Sequence, residues 1–236
     1  SSSRVFESIL HSKSINNTKI SIDLPGHGKS IKGYEDHKDF SIKFYCTKLI
    51  DFINKIDDDI LLVGNSLGGH LAIEIAPQIK NLKGLVIFGT PPVKKPINFE
   101  EAFLPVEALQ TYFTANPSEE AIDIAANIAV QNKEMVSVIV SDFRATNLLV
   151  REKIAEDILS GNLDDEYEIY INLDIPKFII AGDQDPSVNL DYLKSVNNST
   201  GNSELIIFEN CGHYPSLEKP EELEETMKYI ISKIKK

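Results

Sequence analysis

Three side chains that could share one reaction lie far apart in the 236-residue chain: Ser66, Asp185 and His213. Ser66 occupies Gly64-Asn65-Ser66-Leu67-Gly68, a G-x-S-x-G pattern in which small neighbours let a cramped turn push the hydroxyl outward. A serine hydroxyl is weakly nucleophilic at neutral pH. It needs a neutral imidazole to take its proton, and the imidazole needs a carboxylate to fix its tautomer and stabilise the imidazolium. His213 and Asp185 are the candidates for those roles. The Leu67 N–H, at the start of a helix, is the first candidate donor to an oxyanion. Acyl transfer is the chemistry such a set would perform.

Each of these residues has rivals. Asp183 competes with Asp185. Asp185 is preferred because Gly182-Asp183-Gln184-Asp185-Pro186 gives the chain room to turn before the acid, and Pro186 then stiffens the loop. Among the other histidines, His11 and His37 lie in polar stretches, His27 comes after an early strand, and His70 reads as a structural residue on the helix after Ser66. A phosphate-binding loop ending at Gly28-Lys29-Ser30 would need glycine at position 23, which is Asp23. No pair of histidines has metal-ligand spacing, so a metal hydrolase is disfavoured and no cofactor is expected. The plain alternative for the G-x-S-x-G run is a Gly/Ser turn with no catalytic role.

Every candidate sits just beyond an apolar run. Ile60–Val63 reads as a strand buried on both faces, and Leu71, Ile75 and Ala76 then continue with helical spacing. Further strands are expected at Lys19–Asp23, Gly84–Gly89, Lys177–Gly182 and Glu204–Glu209. Helices are expected at residues 4–13, Phe40–Lys55 and Pro220–Lys235. From Val93 to Asp174 the pattern is helical, clearest at Glu119–Ala129 and Glu134–Val150, with a break at Asn116-Pro117-Ser118. The expected fold is α/β, a doubly wound, mostly parallel sheet whose ligands collect beyond the carboxyl ends of the strands. Residues 1–92 and 175–236 would form the core, with 93–174 inserted as a helical cap.

Composition narrows the partners. With 24 basic and 36 acidic residues the net charge is −12, so phosphate backbones and anionic lipid are repelled on average. No run approaches a membrane span. Cys46 and Cys211 read as reduced thiols, which points to the cytoplasm. The chain opens on Ser1-Ser2-Ser3 without an initiator methionine, which leaves room for a lost leading segment, an export signal included. The expected partner is a small-molecule ester or lactone, with neither nucleic acid nor membrane. The sequence is silent on oligomeric state.

Five segments carry a family resemblance: Asp23–Ser30, Gly64–His70, Gly89–Val93, Gly182–Pro186 and Asn210–His213. Together they resemble the α/β-hydrolase superfamily, whose chain order of serine, acid, histidine is also found here. The Gly89–Val93 run, the acid-Pro pair and Asn189–Tyr192 look most like the N-acyl-homoserine lactonases of this fold, which open a lactone ring without a metal. Those lactonases carry glutamate at the position of Asp185 and an aromatic residue at that of Asn65. The resemblance implies an acyl-enzyme on Ser66 and a pocket floored by Asn65. Phe99, Phe103, Tyr112 and Phe143 of the cap are candidates to wrap an acyl chain or, equally, to form the cap's own core. The alternatives are a C–C bond hydrolase of the same fold and a non-catalytic ligand-binding module. Family members also carry, before the Asp23 turn, a strand and a His-Gly loop donating a second oxyanion N–H. Neither is present, so a gap is expected between the Lys19–Asp23 strand and the Ile60 strand, filled by upstream residues or another segment.

Overall fold

The computed structural model describes residues 2–34 and 39–234. His37 and Lys235 lie outside the described residues. Four parallel strands, β1 (Ile60–Asn65), β2 (Leu82–Phe88), β3 (Lys177–Gly182) and β4 (Ser203–Phe208), form one sheet in the order β1-β2-β3-β4. Side chains alternate between its faces, as the pleat requires. Leu85, Ile87, Ile179 and Ala181 pack on one side, and Val86, Phe88, Phe178 and Ile180 on the other. Both faces are covered, which is why these strands read as continuous apolar runs.

The first face is covered by α3 (Leu67–Ile75), α8 (Glu166–Asn172) and α9 (Leu190–Asn198). The second is covered by α1 (Glu7–His11) and α11 (Pro220–Ile234). α2 (Ile42–Ile53) packs against α3, and the short α10 (Pro215–Glu218) leads into α11. Register aligns the strand ends: Asn65 pairs with Phe88 and Gly182 with Phe208. The loops bearing positions 66, 89, 185 and 213 therefore leave one edge of the sheet together.

Between β2 and β3 the described chain makes only helices. These are α4 (Phe99–Ala102), a 3-10 turn over Glu107–Phe113, α5 (Glu119–Ala129), a 3-10 turn over Lys133–Met135, α6 (Val136–Arg144), α7 (Leu148–Leu159) and α8. Ser118, from the polar break, caps α5 by accepting from the Ala121 N–H at 3.1 Å. α8 packs Tyr170 into the sheet-side cluster with Ala72 and Ile73, although it lies within the 93–174 stretch. No helix among the described residues is long and apolar enough to cross a membrane.

Two expectations are corrected. Lys19–Asp23 forms no strand, and Ile20 and Ile22 are left exposed. Its alternation suits a strand, but a strand exists only by pairing, and a cavity separates this run from β1. The two are not directly paired, and among the described residues the outer edge of β1 has no ladder partner. The Glu134–Val150 helix is in fact two, broken at Ala145–Asn147. There the Ala145 carbonyl accepts from the Gly28 N–H at 3.0 Å and the Asn147 N–H donates to the Gly26 carbonyl at 2.7 Å, a bridge that clamps the insertion onto the turn after Asp23.

Candidate active site

The turn from β1 into α3 is strained where the sequence pattern places the serine. Ser66 has φ 53° and ψ −123°, a region that L residues rarely enter and that persists only when surroundings enforce it. Its N–H donates to the Phe88 carbonyl at 2.9 Å. Its own carbonyl accepts from the N–H groups of Gly69 and His70 and from the Thr90 hydroxyl. A side chain at Gly64 would collide with the Gly68 carbonyl, and one at Gly69 with Thr90, whereas one at Gly68 would meet nothing. Gly64 and Gly69 are thus the glycines that the turn needs. Leu67 opens α3, so its N–H is among those with no acceptor within the helix.

The loops after β3 and β4 bring Asp185 and His213 into contact. Asp185 Oδ2 lies 2.7 Å from His213 Nδ1, with the two side chains only 6 % and 13 % exposed. Burial alone would raise the carboxyl, but the His213 charge and the hydrogen bonds from His213 and Ser187 hold it below the usual carboxylate range. Burial likewise opposes a charge on His213, and the Asp185 carboxylate outweighs it and raises the imidazole above its usual value. Asp183 is exposed and accepts from the Cys211 N–H at 3.2 Å, steadying the histidine loop from outside. Gly89, at φ 61°, admits the imidazole, because a Cβ there would lie 2.6 Å from His213 Cε1. Ser66 and His213 face one cavity. Among the described residues no hydrogen bond joins the Ser66 hydroxyl to the imidazole, a contact that often tightens only when substrate is bound.

That cavity, about 1490 Å³, is lined by Asn65, Phe99, Phe103, Tyr112 and Phe143 and extends into the space beside β1. Phe103 stacks loosely with Phe99 and His70 at ring-centroid distances of 6.1 and 6.2 Å. Phe143 is buried in a cluster of α5 and α6 side chains that also takes in Val5 and Tyr214, with Tyr112 packed on it, so these two rings both line the space and help hold those helices together. The Asn65 amide Nδ2 donates to the carbonyls of Phe88 and His213 at 2.9 and 3.3 Å, tying the serine turn to the histidine loop. Its Oδ1 is buried without a partner. His70 bonds Glu166 at 2.8 Å, a link between α3 and α8 that matches a structural role.

Three participants have no signal in sequence spacing. Ser187 donates its N–H and hydroxyl to Asp185 Oδ1 at 2.8 and 2.7 Å, and its hydroxyl lies 3.1 Å from His213 Nδ1. Glu218 takes the N–H groups of Gly212 and Gln131 at 3.0 and 2.6 Å, joining the histidine loop to the segment after α5. Arg151 is buried against the Phe143 ring.

Comparison with known proteins fits this architecture. A solved structure of the N-acyl homoserine lactonase AidH, complexed with N-butanoyl homoserine, superposes with a TM-score of 0.86 at 25% identity, covering 99% of this chain and 86% of that one. An uncharacterized protein of Mycobacterium tuberculosis, Rv2715, is 26% identical over 86% of this chain and 64% of its own length. Lipase 1 of Psychrobacter immobilis is 21% identical over 89% of this chain and 67% of its own. The chain thus spans a little under two thirds of the length of the mycobacterial relative. The model of the alpha/beta hydrolase family matches residues 8–226, nearly the whole chain. With its parallel sheet, strained serine turn and helical insertion, the chain belongs to the alpha/beta hydrolase family.

Proposed function

We propose that this protein is a serine hydrolase of small carboxylic esters or lactones, working through an acyl-enzyme on Ser66. The observation that carries the reading is the Asp185–His213 contact, whose imidazole faces the same cavity as a serine held in a strained turn. In this reading His213 Nε2 takes the hydroxyl proton as Ser66 Oγ attacks the carbonyl carbon. Asp185 holds the imidazole by Nδ1 and stabilises its charged form. The Leu67 N–H donates to the developing oxyanion. His213 then returns the proton to the leaving alkoxide, and water, activated by the same imidazole, releases the acid.

Helices of the 93–174 stretch act as the cap over this site, with Phe99, Phe103, Tyr112 and Phe143 as acyl-chain contacts and Asn65 as part of the floor. N-acyl-homoserine lactones head the substrates to test, on the strength of the likeness to AidH. Cys46 and Cys211 are free thiols, in keeping with a cytoplasmic setting. The test is a panel of p-nitrophenyl esters and acyl-homoserine lactones on wild type and Ser66→Ala, with fluorophosphonate labelling of both. Loss of turnover by about 10³-fold or more, together with loss of labelling, is expected. Turnover unchanged in Ser66→Ala overturns the mechanism. Saturable binding with no product and no acyl-enzyme burst in wild type would make the protein a binding module.

A further inference from the structure

Arg151, on α7, is 5% exposed, and its guanidinium carbon stands 3.5 Å above the Phe143 ring centroid. Nη2 donates to the Phe143 carbonyl. Among the described residues no carboxylate forms an ion pair with it, and most of its fork of N–H donors has no acceptor. The carboxylate of Asp142, which borders the same cavity, is already taken by the Ser2 N–H, the Ser2 hydroxyl and Arg4. Beside Arg151 stands Tyr112, whose hydroxyl is buried without a hydrogen-bond partner. Both side chains line the cavity that Ser66 faces. Burying a cation with its donors unmet is costly, and a planar carboxylate matches the guanidinium fork.

We infer that Arg151 and Tyr112 form a subsite for a carboxylate at the far end of the acyl chain, so that the favoured substrates are half-esters of dicarboxylic acids or lactones whose chain ends in a carboxylate. The inference rests on Ser66 acting as proposed above. A single guanidinium and one phenol balance a monoanion; a phosphate dianion would call for a second cation. The rings of Tyr112 and Phe143, 5.8 Å apart, give the intervening methylenes an apolar wall.

The experiment compares kcat/KM for p-nitrophenyl half-esters of dicarboxylic acids, from succinate to suberate, with neutral alkanoates of equal length, after subtracting spontaneous hydrolysis. Wild type should favour the half-ester of the fitting length by about 10- to 100-fold. Arg151→Gln should bring that ratio close to one while keeping hydrolysis of the neutral ester, Arg151→Lys should keep part of it, and Tyr112→Phe should lower it severalfold. The ratio is internal to each variant, so a partly unfolded preparation does not imitate the result. A wild-type ratio near or below one overturns the subsite, as does a preference that survives in Arg151→Gln. Loss of both activities in Ser66→Ala, whatever the ratio, keeps the hydrolase reading separate from this one.

Discussion

Asp185 uses its two oxygens for different tasks: Oδ2 meets the imidazole, while Oδ1 takes both donors of Ser187. The carboxylate is thereby held through both oxygens instead of rotating in its loop. His213 is raised above 6.5, so at lower pH the imidazole already carries a proton and cannot accept one from Ser66. If His213 is the base, kcat/KM should climb with pH through a midpoint above 6.5. Asp185→Asn removes the charge that outweighs burial, so the midpoint should move down while the plateau falls by about 10³- to 10⁴-fold. Asp183→Asn, altered on an exposed side chain that steadies Cys211, should stay within roughly tenfold of wild type. Parallel pH–rate profiles of the two variants check both statements. Ser187→Ala leaves the Asp185–His213 contact and the backbone N–H on Oδ1 but removes the hydroxyl donor, and a loss in kcat of up to roughly tenfold with little change in KM is the expected reading. Nothing in sequence could have chosen Ser187, because a serine after a proline in a loop is ordinary turn composition. That Asp185 and not Asp183 would meet His213 was legible, since the turn before it could be read from Gly182 and Pro186.

At the level of elements, two glycines of one motif part company. Gly64 abuts the first turn of α3, and Gly64→Ala should cost more than about 3 kcal/mol through backbone collision. Gly68 faces open space inside a helix, so Gly68→Ala should stabilise by about 0.5–1 kcal/mol through helix propensity. Denaturant titration of both variants tests the contrast; equal losses would mean that the pattern is a unit, not two separate constraints. Elements defined by local chemistry were legible in the sequence: β3 from its run of apolar residues, α5 from its helical spacing after the polar break at Asn116-Pro117-Ser118. Elements defined by distant partners were not. Periodicity runs unbroken through Ala145–Asn147, and only the bridge to Gly26 and Gly28 splits α6 from α7. Lys19–Asp23 alternates like a strand yet lacks a ladder to join. Arg151 likewise reads as one more charge on a helix, since burial by the neighbouring cap is not written in its own segment.

Over the whole molecule, the core and the helical insertion are stitched together by buried carboxylates. Glu218 joins the histidine loop to the segment after α5, and the His213 N–H donates to the Ala129 carbonyl at 2.8 Å, so the position of the histidine loop is tied to the end of α5. On the other side Glu166, wholly buried, holds His70 and the Val93 N–H, while Glu74 of α3 accepts from the Asp164 N–H at 2.6 Å. Three carboxylates thus crowd one seam. Burial pushes Glu74 up to about 7, with Glu166 and Asp164 adding to the rise and the Asp164 N–H and His70 opposing it. A carboxyl whose folded pKa is raised gives stability that is complete below its unfolded value, near 4.5, and is lost as pH rises through about 7. Stability should therefore decline between pH 4.5 and 7.5 by on the order of 3 kcal/mol from this group. Glu74→Gln, which keeps an acceptor for the Asp164 N–H but cannot ionise, should flatten that decline and leave the low-pH stability little changed. Urea unfolding across this range measures it, and an equal slope in wild type and variant would mean that Glu74 binds protons alike in the folded and the unfolded chain, so that burial does not raise it.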